Sequence, residues 1–198
     1  MTQSLSIAAL ILAAGESLRM GHLNKLLLKQ GDKTLVHQAI QPYLPLCTSV
    51  TVVLGCDAQR VGDAIKMLPV ETIITPQYKK GHHQSARFGL QALRSNPQDA
   101  VLIGLADQYA LTHEDIAEMA SLYKQDNKII IPRIANKRGN PVLLPKRFIE
   151  PILASREPIR TFLDRHPEEI SWLESTSTAF LQDIDTPEEA KSAGYSAE

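Results

Sequence analysis

The chain has 198 residues, enough for one large α/β domain whose core needs neither disulfides nor a structural metal. Its 21 Lys and Arg nearly balance 22 Asp and Glu, so no global field gathers nucleic acid or acidic membrane, and any anion must be held by a local site. Cys47 and Cys56 show neither CxxC nor Cys/His spacing, which argues against a zinc motif or a disulfide framework and leaves free, mostly buried thiols.

Along the chain, Met-Thr-Gln-Ser-Leu-Ser at the start lacks the basic character of a targeting signal, and the apolar run from Ile7 to Ala14 is too short to span a bilayer. A cytoplasmic location and no membrane partner are the expectations. Ile7 to Ala13, continuously apolar and ended by Gly15, reads as a strand buried on both faces of a parallel sheet. Val50 to Leu54, Val70 to Thr75, Ala100 to Leu105 and Lys128 to Pro132 repeat that character. Thr34 to Leu44, Ala58 to Met67, Gln84 to Leu93 and His113 to Lys124 carry helical periodicity. This alternation predicts a doubly wound, mostly parallel α/β sheet in a single domain over residues 1–198, with its ligand beyond the carboxyl ends of the strands. After Pro132 the rhythm changes: Val142 to Leu144 and Phe180 to Ile184 read as strands, and Arg147 to Ala154 and Ile159 to Asp164 as helices. Part of the C-terminal half is therefore expected to be antiparallel, and the tail after Ala193 to be loose.

The segment after the first strand carries Gly15, Ser17 and Gly21, with Arg19 and Lys25 along it. Glycines let backbone N–H groups approach a phosphate, and Arg and Lys neutralise its charge, so the segment reads as an anion cradle. It is neither GxxxxGK[ST] nor GxGxxG, which weakens the P-loop hydrolase and dinucleotide-dependent oxidoreductase readings. Asp107 follows the Val101-to-Ala106 run, at the carboxyl end of a predicted central strand, where a carboxylate can hold a divalent cation or cap the next turn. In Asp183-Ile-Asp-Thr-Pro-Glu188, Thr186 or Asp185 can cap a helix starting at Pro187. Ser85 and Arg87 lie near a helix start after Gly81, where N–H groups and a guanidinium can meet phosphate or base.

Taken whole, Leu12-Ala-Ala-Gly-Glu-Ser-Leu-Arg-Met-Gly21 with Asn24-Lys-Leu-Leu27 resembles the LAAGxSxRMG…K-x-L signature of the MobA-like nucleotidyltransferases, and within them the molybdenum-cofactor cytidylyltransferases. The resemblance continues in Gly81-to-Leu90 (GMSxSLRxGL in the family), Ala106-Asp-Gln108 (DQP), Arg138-to-Val142 (RGHPV) and Asp183-to-Glu188 (DIDTPED). Three departures stand out: His82-His83 replaces Met-Ser, Tyr109 replaces proline, and Asn140 replaces histidine. The His pair can meet an acceptor's phosphate, although a Lys-Lys-Gly-His-His turn is also what a solvated surface looks like.

The resemblance implies a Rossmann-like nucleotide-diphospho-sugar transferase fold and transfer of a nucleotidyl group, with Mg²⁺, to an anionic acceptor. Leu12, Ala13, Ala14, Gly15, Ser17, Ser85 and Arg87 would bind the nucleotide. Arg19 and Lys25 would hold the triphosphate, with Lys25 beside the α-phosphate. Asp107 and Asp185 would hold the metal, although alternation from Phe180 puts Asp183 and Asp185 on one face and does not separate them. Lys25, Arg19 and Asp107 are the implied catalytic set, and Gly139, Asn140 and Pro141 the acceptor contacts. LAAG rather than LAGG points to CTP, because the Ala14 methyl limits room for a purine. The implied acceptor is molybdenum-bearing molybdopterin, with a molybdoenzyme or its maturation factor as partner. Guanylyl transfer, a sugar 1-phosphate acceptor and a non-catalytic cofactor-binding chaperone are the alternatives.

Overall fold

The computed structural model describes residues 5–197. Strand β1 (Ile7–Ala13) is buried throughout. Its side chains alternate between two core layers, Ile7, Ala9, Ile11 and Ala13 entering one and Leu10 and Leu12 the other, as a strand covered on both faces requires. A short hairpin of β2 (Lys29–Gln30) and β3 (Lys33–Thr34) leads into α1 (Leu35–Ile40), whose first turn is capped by the Thr34 hydroxyl. Then come β4 (Ser49–Leu54), α2 (Ala58–Ile65), β5 (Glu71–Ile74), α3 (His82–Leu93), β6 (Ala100–Leu105) and α4 (His113–Asp126). The second half adds β7 (Ile129–Ile134), β8 (Lys137–Arg138), β9 (Val142–Pro145), α5 (Ile149–Ser155), α6 (Ile159–Asp164), β10 (Ile170–Glu174) and α7 (Pro187–Ser192).

The main sheet runs β10-β7-β9-β6-β1-β4-β5, with β8 hairpinned onto β7. β5, β4, β1 and β6 are mutually parallel, β10 is parallel to β7, and β9 runs antiparallel between β6 and β7. The expected mostly parallel sheet with an antiparallel C-terminal element is what forms. One face carries α1, α2 and α4 through Val36, Ile40, Val61, Ile65, Ile116 and Met119. The other carries α3, α5 and α6 through Leu90, Leu93, Ile149, Ile152, Phe162 and Leu163. Because the chain leaves β1 for β4 on one side and returns to β6 on the other, a crevice opens at the carboxyl ends of β1 and β6. No helix among the described residues is long and apolar enough to cross a membrane.

Four differences from the sequence reading have physical causes. The helix expected over Thr34 to Leu44 ends at Ile40 and tightens into a 3₁₀ turn, Gln41–Tyr43, because Pro42 has no N–H to continue the α ladder. Phe180 to Ile184 is not a strand. The Phe180 carbonyl accepts from Asn140 N–H (3.0 Å) and Gln108 Nε2 (3.1 Å), and Ile184 N–H donates to the Asp107 carbonyl (3.2 Å), so loops use the groups that would pair with a sheet. β10 escaped detection because it is an edge strand whose only described strand partner is β7 and whose residues are mostly half-exposed. Finally, the tail after Ala193 is anchored: Tyr195 is buried, Ser196 exchanges two 2.9 Å backbone bonds with Lys29, and Tyr195 packs edge-on against Tyr109. The Tyr109 departure thus serves to dock the C-terminus. Cys47 and Cys56 are free thiols, and burial pushes Cys47 up to about 12.

Candidate active site

Beyond β1 the chain turns sharply. Ala14 is buried, Ser17 adopts a left-handed conformation (φ 52°), and Leu18–Met20 forms a 3₁₀ turn that buries Met20 and leaves Arg19 pointing out. The Ser17 hydroxyl accepts the Lys25 backbone N–H at 3.2 Å, and Asn24 caps the following 3₁₀ turn, Lys25–Leu27, through the Leu26 N–H. These bonds close the loop on itself and aim the Lys25 side chain across the crevice.

There it meets two acids. Lys25 Nζ lies 2.5 Å from Asp107 Oδ2 and 2.9 Å from Asp185 Oδ1, and Arg19 reaches Asp185 Oδ2 at 2.6 Å. Asp107 sits just past β6, held in place by the strand end and by the Ile184 contact with its carbonyl. Asp183 and Asp185 flank Ile184, which plunges into a small core with Met20, Leu28 and Ala190. The alternation read from sequence therefore operates without a strand, and both carboxylates face the crevice. Just downstream, Thr186 and Glu189 form a reciprocal capping box on α7, and Glu189 also accepts the Asp185 N–H at 2.8 Å, which fixes the backbone beneath that carboxylate.

One oxygen from each of Asp107, Asp183 and Asp185 falls within 4.8 Å of the others, the arrangement a hard divalent cation bound through oxygen uses. Asp107 Oδ1 is buried and makes no hydrogen bond among the described residues, an oxygen left without a partner until a ligand supplies one. The donor set fits a divalent metal; the sequence reading chose Asp107 and Asp185, and Asp183 lies in the same cluster. Electrostatics bear out the crowding. Burial, then Asp107 and Asp185, raise the Asp183 pKa. For Asp185 burial pulls upward, but Lys25 and Arg19 outweigh it and hold the carboxyl below the usual range. For Lys25 burial pulls downward, and Asp107 and Asp185 outweigh it to raise the ammonium pKa.

A cavity of about 550 Å³ opens over this cluster, lined by Ala14, Gly15, Ser17, Arg19, Lys25 and Ser85 as well as the three acids. A second, of about 270 Å³, adjoins it and is lined by Leu12, Gly139 and Asn140 of the expected residues. His82 and Leu105 line both. Ala13 is buried in the sheet and Pro141 is buried as well; neither lines a chamber. Arg87 is placed elsewhere. Its guanidinium donates to the carbonyls of Ile152 (2.6 Å), Leu153 (2.6 Å) and Glu157 (3.4 Å), so it staples α3 to the carboxyl end of α5, where a cation is favoured, and lines neither chamber.

Sequence reasoning missed Gln108. Buried beside Asp107, it donates to the carbonyls of Asn140 (3.3 Å) and Phe180 (3.1 Å), tying the loop after β6 to the wall of the second chamber. The Asp-Gln pairing was visible as a motif, but the tie joins residues 32 and 72 positions apart and no local pattern signals it. Tyr78 and Lys79, which line the first chamber, were likewise unmarked.

A glycine-bearing loop at the switch point of a doubly wound sheet, with two cations and three carboxylates facing it, defines a nucleotidyltransferase: a cradle for phosphates beside a place for a divalent cation. Comparison with known proteins makes the assignment specific. The MobA-like NTP transferase domain matches residues 9–170, and the chain belongs to that family. Among curated proteins it is similar to nicotine blue oxidoreductase of Paenarthrobacter nicotinovorans, 25% identical over 195 residues that cover 92% of this chain and 94% of that one. Among solved structures it resembles Rv0371c of Mycobacterium tuberculosis H37Rv (TM-score 0.81, 19% identity, 97% and 99% of the two chains). A manganese complex of Rv0371c is similar as well (TM-score 0.78, 17% identity, 94% and 97%). 4-Diphosphocytidyl-2C-methyl-D-erythritol synthase of Anaerococcus prevotii shares the fold too (TM-score 0.76, 16% identity, 96% and 95%).

Proposed function

We propose that the protein transfers CMP from CTP, with Mg²⁺, to a phosphorylated small molecule, molybdenum-bearing molybdopterin being the acceptor the motifs imply, and releases pyrophosphate. The observation that carries this reading is the Asp107–Asp183–Asp185 cluster bridged by Lys25 and Arg19 at the mouth of the glycine loop. Three carboxylates against two side-chain cations would repel a triphosphate on their own. The same set with a divalent ion becomes a phosphate site.

In this mechanism an oxygen of the acceptor's phosphate attacks the α-phosphorus, a new P–O bond forms, the bond to the β-phosphate oxygen breaks, and pyrophosphate leaves. A phosphate monoester is already anionic at neutral pH, so no general base is needed and the protein's task is alignment and charge neutralisation. Loop N–H groups and Arg19 hold the triphosphate, and Lys25 turns from the carboxylates to the α-phosphate, where charge builds up. Asp107 with Asp185 and Asp183 would hold the cation, which when bound would supply screening of the triphosphate charge and polarisation of the phosphorus. Ala14 and Tyr78 line the first chamber, and the Ala14 methyl takes room that a purine would need, which supports a pyrimidine. The cytidylyl name of the Anaerococcus relative and the manganese in the Rv0371c complex agree with CTP and a divalent ion.

The name of the Paenarthrobacter relative favours a second reading, an oxidoreductase, for which we take hydride transfer from a dinucleotide as the case to test. Hydride transfer makes no use of a three-carboxylate cluster, and the loop lacks GxGxxG, so nucleotidyl transfer is preferred. A passive cofactor-binding chaperone would not require Arg19, Lys25, Asp107 and Asp185 together. The test is a panel of four NTPs with Mg²⁺, with and without molybdopterin, read by pyrophosphate release, beside NADH and NADPH oxidation. Fastest release with CTP and molybdopterin is expected; faster release with GTP moves the donor, and nicotinamide oxidation without pyrophosphate replaces the reading.

A further inference from the structure

We infer that His82 is the residue that meets the acceptor where the two chambers join, donating a hydrogen bond to the acceptor's phosphate as it approaches the nucleotide. This rests on the nucleotidyl-transfer reading and concerns its acceptor side. His82 opens α3, and its imidazole lies over the glycine loop: a Cβ added to Gly15 would sit 3.6 Å from His82 Cε1. Only His82 and Leu105 line both chambers, and Leu105 offers no polar group to an anion. The imidazole makes no hydrogen bond or ion pair with any described residue, and it carries at least one N–H donor in either protonation state.

Its surroundings favour an anion. No side chain caps the start of α3 and no acid stands in its first turn; Gln84 and Ser85 N–H donate to the Gly81 carbonyl, which leaves the His82 and His83 N–H groups without a backbone acceptor among the described residues. One turn along the same face, Ser85 is 2% exposed and lines the first chamber, with no hydrogen bond to its hydroxyl from any described residue; it too awaits a ligand. The second chamber has no carboxylate in its lining, while Arg138 and Arg160 are part of it. Arg138 is already committed to Asp164 at 3.0 Å and Arg160 faces the same acid at 4.0 Å, so His82 is the uncommitted polar group of this lining that also borders the first chamber. A histidine on the first turn of a helix gains nothing from the helix dipole, which disfavours positive charge there, and helix stability does not account for it.

The test uses α,β-methylene-CTP with Mg²⁺ as an inert donor and phenyl phosphate as the acceptor probe. Histidine Cε1–H resonances are followed by NMR and affinities by calorimetry, in the wild type, His82→Ala and His82→Asn. Phenyl phosphate should move the His82 resonance of the donor complex. His82→Ala should weaken phenyl phosphate about tenfold, the worth of one hydrogen bond to a charged group, while leaving methylene-CTP within about twofold. His82→Asn, which keeps a donor, should recover part of the loss. Weaker methylene-CTP with unchanged phenyl phosphate would assign His82 to the nucleotide and overturn the inference, as would no effect on either or no phenyl phosphate binding by the wild type. If the wild type fails to bind methylene-CTP, the nucleotidyl-transfer reading itself falls, and that outcome is visible before any variant is made.

Discussion

Lys25 is the residue on which charge in the crevice turns, because it is shared by Asp107 and Asp185. Lys25→Ala should lower the turnover of pyrophosphate release by roughly 10²–10³, the cost of removing one transition-state donor, while CTP binding falls much less; unchanged kcat would take Lys25 out of the chemistry. Asp183 gives a prediction of opposite flavour. Its folded pKa is raised, so the folded state holds that proton more tightly than the unfolded chain, and stability is lost as pH climbs from the ordinary carboxylate range through the raised value. Asp183→Asn should therefore raise the Tm of the ligand-free protein at neutral pH while weakening Mn²⁺ binding in the presence of CTP. A lower Tm would show that the carboxylates are not in conflict. Asp185 has the other sign: its lowered pKa adds stability above the ordinary range, lost as pH falls through the folded value. For the base, Ala14→Gly should narrow the preference for CTP over GTP, measured as the ratio of kcat/KM values.

Among the elements, α3 touches everything that matters: its first turn borders both chambers and its Arg87 grips α5. Arg87→Met keeps the aliphatic stem and removes the hydrogen bonds, so it should cost about 1–3 kcal/mol in urea unfolding and leave the Kd for CTP unchanged. A large loss of CTP affinity would return Arg87 to the nucleotide site. The β8–β9 connection makes a comparable case. A Cβ on Gly139 would meet the Phe180 carbonyl at 2.7 Å and the Phe180 Cβ at 2.9 Å, both part of the stiff segment leading to Asp183. Gly139→Ala should push those loops apart and raise KM for the acceptor more than for CTP. Equal effects would mean that the two chambers are not separable.

At the scale of the molecule, binding should be linked. Phosphates bring negative charge to a site already rich in carboxylate, and the cation brings the compensating charge, so CTP and Mg²⁺ together should raise Tm by more than the sum of their separate effects, increasingly with concentration. Additive shifts in a thermal melt would argue against a shared site. Much of this architecture was legible beforehand. β1, β4 and β6 announced themselves as apolar runs because strands covered on both faces have no polar alternation, and the turn chemistry of Gly15 and Gly21 marked the ligand end. Elements with one-sided or borrowed support were not: edge strand β10, the looped backbone of residues 180–184, and the tail pinned by Tyr195.

The sequence by itself determined the layered sheet, the glycine-bearing loop after its first strand and the family, because periodicity, glycine placement and motif order are local properties of the chain. Tertiary structure alone decided that Asp183 lies with Asp107 and Asp185, that the Arg87 guanidinium meets the carbonyls of Ile152 and Leu153, and that His82 lines two chambers. Those outcomes depend on distances between groups far apart along the chain, set by how helices and loops pack across the sheet, and no local pattern encodes them.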